Sequence, residues 1–386
     1  MSYSEGAQNV IYADNAATTR LSDSAFERML PFLRGGYGNA SSLHSLGTKP
    51  RKAVEQARGE AAEVIGAELS EIFFTSGGSE ANSWLLRSIA YVFRNEPMHI
   101  ITTSIEHHSV LNACRACERD GAEVTYLSVD GAGRVLPKDV EAAIRPDTKL
   151  ATIMLANNEV GTIQPIAEMG RLFRDRGILF HTDAVQAVGH IPVDVRGLCV
   201  DFLTASAHKF NGAKGTGFLF KRSGLNLPPL IFGGKQEMGL RGGTENVAGI
   251  VAAGCAIAES AAGLSETADR LGALADATVR GILAGVPGTR ALGDADNRLP
   301  GLINLVFEGV SGESLMHLLD MKGICVSTSS ACASGETSHV LLALGLTDVE
   351  AKSSIRISYG RHNGMEDADT VVSAVCDACK KIRGNR

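Results

Sequence analysis

Residues 178–209 have the sequence ILFHTDAVQAVGHIPVDVRGLCVDFLTASAHK, in which two β-like runs each end in a polar cluster. The runs are Ile178–Asp183 and Phe202–Ala205, and the same pattern recurs along the first 220 residues. Several of these runs are nearly continuous in apolar residues, which is typical of strands covered by helices on both faces. The full set of predicted strands is Ile72–Thr75, His99–Ile105, Glu123–Val129, Leu150–Ala156, Ile178–Asp183, Phe202–Ala205 and Gly217–Phe220.

Helical patterns alternate with these strands, and the alternation predicts an α/β fold with a mostly parallel sheet. The helical patterns are Lys52–Ile65, Ser79–Phe93, Val110–Arg119 and Ile166–Arg176. After Phe220 the pattern changes to a glycine-rich stretch, a long Ala-rich helical region up to about Leu283, and separate β-like runs at Ile303–Phe307 and Ile355–Ser358. We therefore expect a large domain at 18–254, with 1–17 and 255–386 forming a smaller α+β domain.

The composition is that of an ordinary globular protein, and it excludes several classes. A length of 386 residues suggests two domains at about 150 residues each. The net charge is -6, and no basic cluster suggests nucleic-acid binding. The longest apolar run, Val247–Ala258, is too short for a membrane span, and the first 19 residues lack the pattern of a signal peptide. We expect a cytoplasmic protein that binds neither nucleic acid nor membrane.

Eight cysteines without a signal peptide indicate reduced thiols instead of a disulfide framework. Two Cys-x-x-Cys pairs, Cys114/Cys117 and Cys376/Cys379, lie in helical patterns about 260 residues apart. A zinc site would need the fold to join both pairs, so we favour half-buried helix cysteines and predict no metal.

Polar clusters follow five of the predicted strands, and carboxyl ends of strands are where open α/β sheets bind ligands. The clusters are Thr75–Glu80, Ser104–His108, Asn157–Glu159, Asp183–Gln186 and Ser206–Lys209. The turn Ser76-Gly77-Gly78-Ser79 could hold a phosphate at a helix N-terminus, although a tight turn capped by Ser79 explains it equally well.

Three side chains in these clusters have chemistry of their own. Asp183 ends a buried strand, where it needs a cation or donor such as a protonated ring nitrogen. Lys209 could form a Schiff base in a desolvated cavity, although Lys214 is equally available on composition alone. Of His107 and His108, one could stack on a flat cofactor and carry protons.

The C-terminal part adds two candidates. Cys332 lies in the small, polar stretch Ser327–Gly335, where an exposed and reactive thiol is expected. Cys325 lies between Ile324 and Val326, where we expect a buried, inert core thiol. Arg356 alternates with apolar residues on a predicted strand and is suited to recognising a carboxylate.

As a set, these motifs resemble the NifS/IscS-type (group I) cysteine desulfurases, which are fold-type I, class V aminotransferase-like enzymes dependent on pyridoxal 5'-phosphate (PLP). The similarity covers about residues 11–362. Its motifs are Asp14–Thr19, Thr75–Glu80, Glu106-His107, Asn157–Gly161, His181–Gln186, Ser206–Lys209, Gly239–Asn246, Ser330-Ala331-Cys332 and Ser354-Ile355-Arg356. The Ser-Ala-Cys loop points to group I and away from the SufS-like group II.

The resemblance implies a homodimer that converts L-cysteine to L-alanine and passes the sulfur, as a persulfide, to a sulfur-accepting protein for iron–sulfur cluster assembly or other thio-cofactors. Lys209 would hold PLP in a Schiff base, and Cys332 would accept the sulfur with His107 carrying protons. At the PLP ring, the resemblance implies that Asp183 pairs with the ring nitrogen, Gln186 bonds the phenolic oxygen and His107 stacks on the ring. The phosphate would be held by Gly78, Ser79, Ser206 and His208, with Thr244 reaching in from the partner subunit. Asn158 and Arg356 would hold the substrate carboxylate.

Some positions depart from the family pattern and leave alternatives open. The residues before Cys332 are Ser-Thr-Ser-Ser where many relatives carry a glycine, and the chain ends at Arg386 without the longer extension of housekeeping relatives. These departures leave open which protein accepts the sulfur and whether its docking is altered. The competing readings are a selenocysteine lyase, a related aminotransferase or lyase, and a PLP-less scaffold or metal-binding interaction protein.

Overall fold

The computed structural model describes residues 10–328 and 337–384. The strands in this part of the chain are β1 (Ile11–Tyr12), β2 (Ile72–Thr75), β3 (His99–Thr103), β4 (Glu123–Leu127), β5 (Thr148–Thr152), β6 (Leu179–Asp183), β7 (Phe202–Ser206), β8 (Gly217–Lys221), β9 (Thr289–Leu292), β10 (Leu302–Phe307), β11 (Ile324–Cys325), β12 (Ser327–Thr328) and β13 (Ser354–Ser358). The α-helices are α1 (Asp23–Arg34), α2 (Ser45–Ile65), α3 (Gly78–Val92), α4 (His108–Arg119), α5 (Pro137–Ala143), α6 (Ile166–Asp175), α7 (Val247–Ala262), α8 (Leu264–Gly285), α9 (Gly312–Asp320), α10 (His339–Ala343), α11 (Asp348–Lys352) and α12 (Met365–Gly384).

A seven-stranded sheet forms the centre of the molecule, with the order β2-β8-β7-β6-β5-β3-β4. Its neighbouring strands are parallel except β8, which is antiparallel to both β2 and β7. These seven strands are the seven that the sequence predicts, so the mostly parallel α/β sheet is confirmed.

Both faces of this sheet are buried, which is why its strands are rich in apolar residues on both sides. Along a strand, successive side chains point to opposite faces. Phe73 and Phe202 pack with α3 and α4 in one core cluster. Their chain neighbours Phe74 and Leu203 pack in a second cluster with α2, α6 and α7.

The C-terminal part builds a separate antiparallel sheet in the order β12-β13-β10-β9, which packs with α8, α9 and α12 around its own core. Strand β1, near the start of the chain, pairs in parallel with β11 from this part. This pairing joins the first described strand to the C-terminal part of the chain. The division into two domains stays a prediction, and its boundary at 254 falls inside α7.

The Ala-rich region after the glycine-rich stretch forms two helices instead of one. Helix α7 ends at Ala262, because the next residue, Gly263, has a non-helical ψ of 19°, and α8 continues at an angle of 74° to α7. Glycine in a helix interior costs about 1 kcal/mol relative to alanine, so a break at this position is inexpensive. In the described part of the chain no single helix is long and apolar enough to cross a membrane; only α7 and α8 taken together reach that length and composition.

The two Cys-x-x-Cys pairs lie in different cores. Cys114 and Cys117 of α4 are fully buried below the large sheet, and Cys379 of α12 is buried in the C-terminal core. Across residues 10–328 and 337–384, no group of three or more His, Cys, Asp or Glu side chains is arranged to hold a metal ion.

Candidate active site

A cavity of 440 Å³ lies at the carboxyl ends of the large-sheet strands. Ten of the twelve predicted site residues line it together: Gly78, Ser79, His107, Asn158, Asp183, Gln186, Ser206, His208, Lys209 and Arg356. The other two are Thr244, which is exposed and outside the lining of this cavity, and Cys332, which lies outside the described residues. Strand ends that are far apart in sequence therefore meet at one site.

Lys209 follows β7 in a short 3-10 helix, Ala207–Lys209. Its Nζ donates hydrogen bonds to the carbonyl oxygens of Ala16 at 2.5 Å and Ala17 at 2.8 Å. Desolvation by burial, and then the nearby charge of Arg356, lower the pKa of Lys209 to about 8. A larger fraction of this amine is neutral at pH 7 than for an ordinary lysine, whereas Lys214 is exposed and lies outside the cavity lining.

Asp183 is the last residue of β6 and is 5% exposed. Its Oδ2 accepts from the side-chain amide of Asn82 at 2.7 Å, and its Oδ1 accepts from the backbone N–H of Val185 at 3.0 Å. A carboxylate oxygen can accept two hydrogen bonds, so each still has capacity for a cationic N–H group in the cavity.

His107 is the N-cap of α4, and a short relay of hydrogen bonds fixes its ring. Its Nδ1 accepts from the backbone N–H of Ser109 at 3.1 Å and lies 2.8 Å from the Ser109 hydroxyl. Asn82 donates to that hydroxyl at 2.9 Å as well as to Asp183, so the Ser109 proton is directed to His107. Desolvation by burial lowers the pKa of His107. Because Nδ1 accepts from the Ser109 N–H, the neutral form of the ring carries its proton on Nε2.

Asn82 and Ser109 were missed by sequence reasoning, although both line the cavity. Asn82 is three residues after Ser79 on α3, so it shares the helix face that Ser79 presents. This spacing is the signal that could have identified Asn82.

The turn from β2 into α3 brings backbone close to the neighbouring strands. Gly77 has a φ of 150°, which favours glycine, and a Cβ at Gly78 would lie 2.8 Å from Cγ2 of Val185. The turn is fixed by Glu80, which accepts from the backbone N–H of Ser76 and forms a two-point ion pair with Arg241. Gly77 and Gly78 therefore leave open backbone N–H groups at a helix N-terminus, an arrangement that suits a phosphate group.

Arg356 lies on β13 and projects into the cavity from the C-terminal sheet. Its Nη1 donates to the carbonyl oxygen of Asn158 at 2.8 Å, and its Nη2 pairs with Oδ1 of Asp14 at 2.9 Å. Its Nε is buried and has no hydrogen-bond partner among residues 10–328 and 337–384. An arginine held on two sides with a donor to spare is suited to binding a carboxylate.

The sequence-based expectation for Cys325 needs correction. Cys325 is on a strand, as predicted, but it is only half-buried because β11 is two residues long and pairs only with the short β1. Desolvation and the charges of Asp320 and Asp14 raise the pKa of its thiol. Partial burial therefore limits the reactivity of this cysteine through the pKa of the thiol and not by closing access to it.

Comparisons with known proteins agree with this geometry. The family model described as Aminotransferase class-V matches residues 11–371. A protein of Methanosarcina thermophila named "Cysteine desulfurase IscS" is 46% identical over 375 residues, which is 97% of this chain and 93% of that protein. A solved structure titled "NIFS-LIKE PROTEIN" superposes with a TM-score of 0.90 at 39% identity, covering 95% of this chain and 98% of the other.

A further solved structure is titled "SspA in complex with cysteine". It superposes with a TM-score of 0.81 at 37% identity, over 90% of this chain and 98% of the other. Together these similarities support the expected fold type I.

Proposed function

The chain belongs to the Aminotransferase class-V family and is a PLP-dependent cysteine desulfurase, and we propose that the cavity around Lys209 is where it converts L-cysteine to L-alanine. The observation that carries this assignment of the site is the meeting of ten predicted residues around one cavity. None of these strand-end clusters is diagnostic alone, but chance would not gather them all at one sheet edge.

The residues of the cavity fit PLP. Lys209 offers an amine with a lowered pKa, Asp183 offers free acceptor capacity, and the Gly77–Ser79 turn offers a cradle for the phosphate. PLP, when bound, supplies an electron sink for the charge that develops at the substrate α carbon. Gln186 lies beside Lys209, and both side chains donate a hydrogen bond to the carbonyl oxygen of Ala16.

Proton movement falls to Lys209 and His107. A lysine with a pKa of about 8 is poised near the operating pH, so Lys209 can take the α proton of the substrate as a general base. His107 presents Nε2 to the cavity because Ser109 occupies its Nδ1. His107 is therefore the group that can carry a proton to or from the sulfur.

Arg356 and Asn158 would bind the substrate carboxylate. Arg356 has the buried, unpartnered Nε, and Asn158 lines the cavity beside it. Lys209 and Arg356 also affect each other, since the Arg356 charge helps to lower the pKa of the lysine. An arriving carboxylate would offset part of that positive charge.

Cys332 would be the sulfur acceptor. Its thiolate attacks the substrate sulfur, so an S–S bond forms and the C–S bond breaks. The bonding electron pair stays with the carbon, which takes up a proton on the way to alanine. Support comes from the chain on either side of Cys332, because Thr328 and His339 both line the cavity.

A second copy of the chain would complete the site. Thr244 is exposed and does not line the cavity of its own chain, as expected if it serves the partner's site. Phe232 and Met238 nearby are exposed apolar side chains that a second copy would cover. Sedimentation analysis should give a homodimer; a stable monomer with full PLP occupancy and activity would contradict this.

The persulfide would pass to a sulfur-accepting protein in the cytoplasm. Relatives named IscS suggest iron–sulfur cluster assembly as the destination. All seven cysteines in the described residues are free thiols, which suits a reducing compartment.

The test of the function is a product assay. Purified protein with PLP, L-cysteine and a reductant should yield alanine and sulfide in equal amounts. A keto acid instead of alanine would favour an aminotransferase. Alanine from L-selenocysteine but none from L-cysteine would favour a selenocysteine lyase, and a protein that remains colourless after PLP addition would favour a scaffold.

A further inference from the structure

Glu159 is a buried carboxylate at the edge of the cavity to which no role has yet been given. It is 6% exposed, lines the cavity, and belongs to the turn that follows β5. The Asn157 side chain accepts from the backbone N–H groups of Glu159 and Val160, and the Glu159 carbonyl accepts from Asn304 at 3.1 Å. These bonds hold the peptide after Asn158, whereas the Asn158 carbonyl oxygen is bound by Arg356 and the Glu159 carboxylate has its own partner.

The partner of this carboxylate is Ser338, the N-cap of α10. The Ser338 hydroxyl donates to Oε2 of Glu159 at 2.5 Å and accepts from the backbone N–H of Leu341 at 3.1 Å. Because the Leu341 N–H already supplies a donor to the hydroxyl oxygen, the hydroxyl proton is free for Glu159. The bond joins residues 179 positions apart, from the large-sheet edge and from the C-terminal part of the chain.

Arg356 is the charged group that acts on Glu159. Burial raises the pKa of Glu159 to about 7, while the Ser338 hydrogen bond and the Arg356 charge oppose the rise. Arg356 donates to the carbonyl oxygen of Asn158, the residue before Glu159, and is paired on its other side with Asp14. The turn that carries Glu159 is thus also one of the two supports of the arginine.

We propose that Glu159 is a positioning residue for recognition of the substrate carboxylate: tied to Ser338, it holds the Asn158 carbonyl and Arg356 in their binding geometry. The inference rests on the proposed role of Arg356. A buried carboxylate costs free energy that a well-packed neutral side chain would avoid, so its presence beside a substrate-binding cation calls for a function.

Four variants test the proposal: Glu159→Ala, Glu159→Gln, Ser338→Ala and the double variant Glu159→Ala/Ser338→Ala. Glu159→Ala should raise KM for L-cysteine about tenfold, the loss expected for one hydrogen bond to a charged group, with kcat nearly unchanged. Glu159→Gln keeps an acceptor for Ser338 and should recover much of the loss. Ser338→Ala should raise KM in the same direction, and the double variant should be no worse than Glu159→Ala because the two residues act as one unit.

PLP affinity, measured from the absorbance of the bound cofactor, should stay at the wild-type value in all four variants. Glu71→Ala is the matched control: Glu71 is a buried carboxylate that accepts from Ser223 and Arg196, but it lies at the amino end of β2, away from the cavity. This variant should lower the unfolding midpoint and leave KM unchanged.

The outcomes separate this inference from the proposed function. If the wild type makes no alanine from L-cysteine, the proposed function fails. If the wild type is active and Glu159→Ala keeps the wild-type KM, the positioning role is wrong. Two further results would also overturn it. One is a Glu159→Ala variant that loses PLP or folded protein while its KM stays unchanged. The other is a Glu159→Gln variant that is as impaired as Glu159→Ala.

Discussion

The cavity has two regions that are built in opposite ways. Its floor consists of Asn82, His107, Asp183 and Lys209, which lie at strand ends and helix starts of the large sheet. Asn82 is hydrogen-bonded to Asp183 and, through Ser109, to His107, while Lys209 is held by the carbonyl oxygens of Ala16 and Ala17. Its rim consists of Ser327, Thr328, His339 and Arg356, which come from the last sixty residues of the chain. The floor is fixed before anything binds, whereas on the rim the buried Nε of Arg356 has no partner in the described part of the chain.

This difference indicates which region binds the cofactor and which binds the substrate. A preorganised floor costs no reorganisation when a resident cofactor sits on it. A rim with a spare donor gains a hydrogen bond only when a ligand arrives. Changes in the floor should therefore remove the cofactor or the chemistry, and changes in the rim should weaken substrate binding or sulfur transfer.

The largest effect should come from the floor, at Lys209. Lys209→Ala should lower alanine formation by about 10³-fold or more, since it removes both the attachment point of PLP and the general base. Borohydride reduction followed by peptide mapping should place the pyridoxyl group on Lys209 in the wild type. Lys214→Ala serves as the control and should keep activity; a label on Lys214 would overturn the assignment.

The next largest effect should come from Cys332, between the two described ends of the rim. Cys332→Ala should bind PLP and still change the cofactor spectrum when L-cysteine is added, because the floor is intact. It should form no persulfide, and sulfide release should fall to the level of the enzyme-free control. Mass spectrometry of the intact protein after L-cysteine addition detects the persulfide in the wild type and its absence in the variant.

Arg356 distinguishes the rim from the floor more directly. Arg356→Ala should raise KM for L-cysteine by about 100-fold, since removing one partner of a buried charge pair costs about 2–5 kcal/mol. Arg356→Lys keeps the charge but loses the fork of donors, so it should be only partly better. PLP content measured on the same samples should be unchanged, and a PLP-free Arg356→Lys would show that the rim also holds the cofactor.

A smaller effect should appear in the pH dependence of cofactor uptake. The neutral amine attacks PLP, so uptake by the apo protein should rise with pH and level off above about 8, the pKa of Lys209. Arg356 lowers that pKa, so Arg356→Ala should move the midpoint to higher pH. Stopped-flow absorbance between pH 6 and 10 measures this midpoint. An unshifted midpoint in Arg356→Ala would mean that the charge of Arg356 does not affect the pKa of Lys209.

Much of the floor could be predicted from sequence, and the physical reason is local. Polar residues such as Asp183 and Lys209 directly follow β-like runs, and parallel strands bring their carboxyl ends to one edge. Asn82 and Ser109 were missed because their importance arises only when α3 and α4 pack side by side. The bridge between Glu159 and Ser338 could not be predicted, since it joins two distant parts of the chain through a tertiary contact.

The smallest effect should come from Cys325, and it completes the comparison with Cys332. Its half-buried position means that its reactivity is limited by a raised pKa and not by access. Cys325→Ala should keep kcat and lose less than about 1 kcal/mol of stability, since little packing is removed at a two-residue strand pair. Iodoacetamide labelling with peptide mass spectrometry should modify Cys332 first at pH 7, with Cys325 reacting appreciably only at alkaline pH. Loss of sulfur release in Cys325→Ala but not in Cys332→Ala would show that Cys332 is not the nucleophile. The reactive thiol would then be that of Cys325, on the two-residue strand beside Asp14.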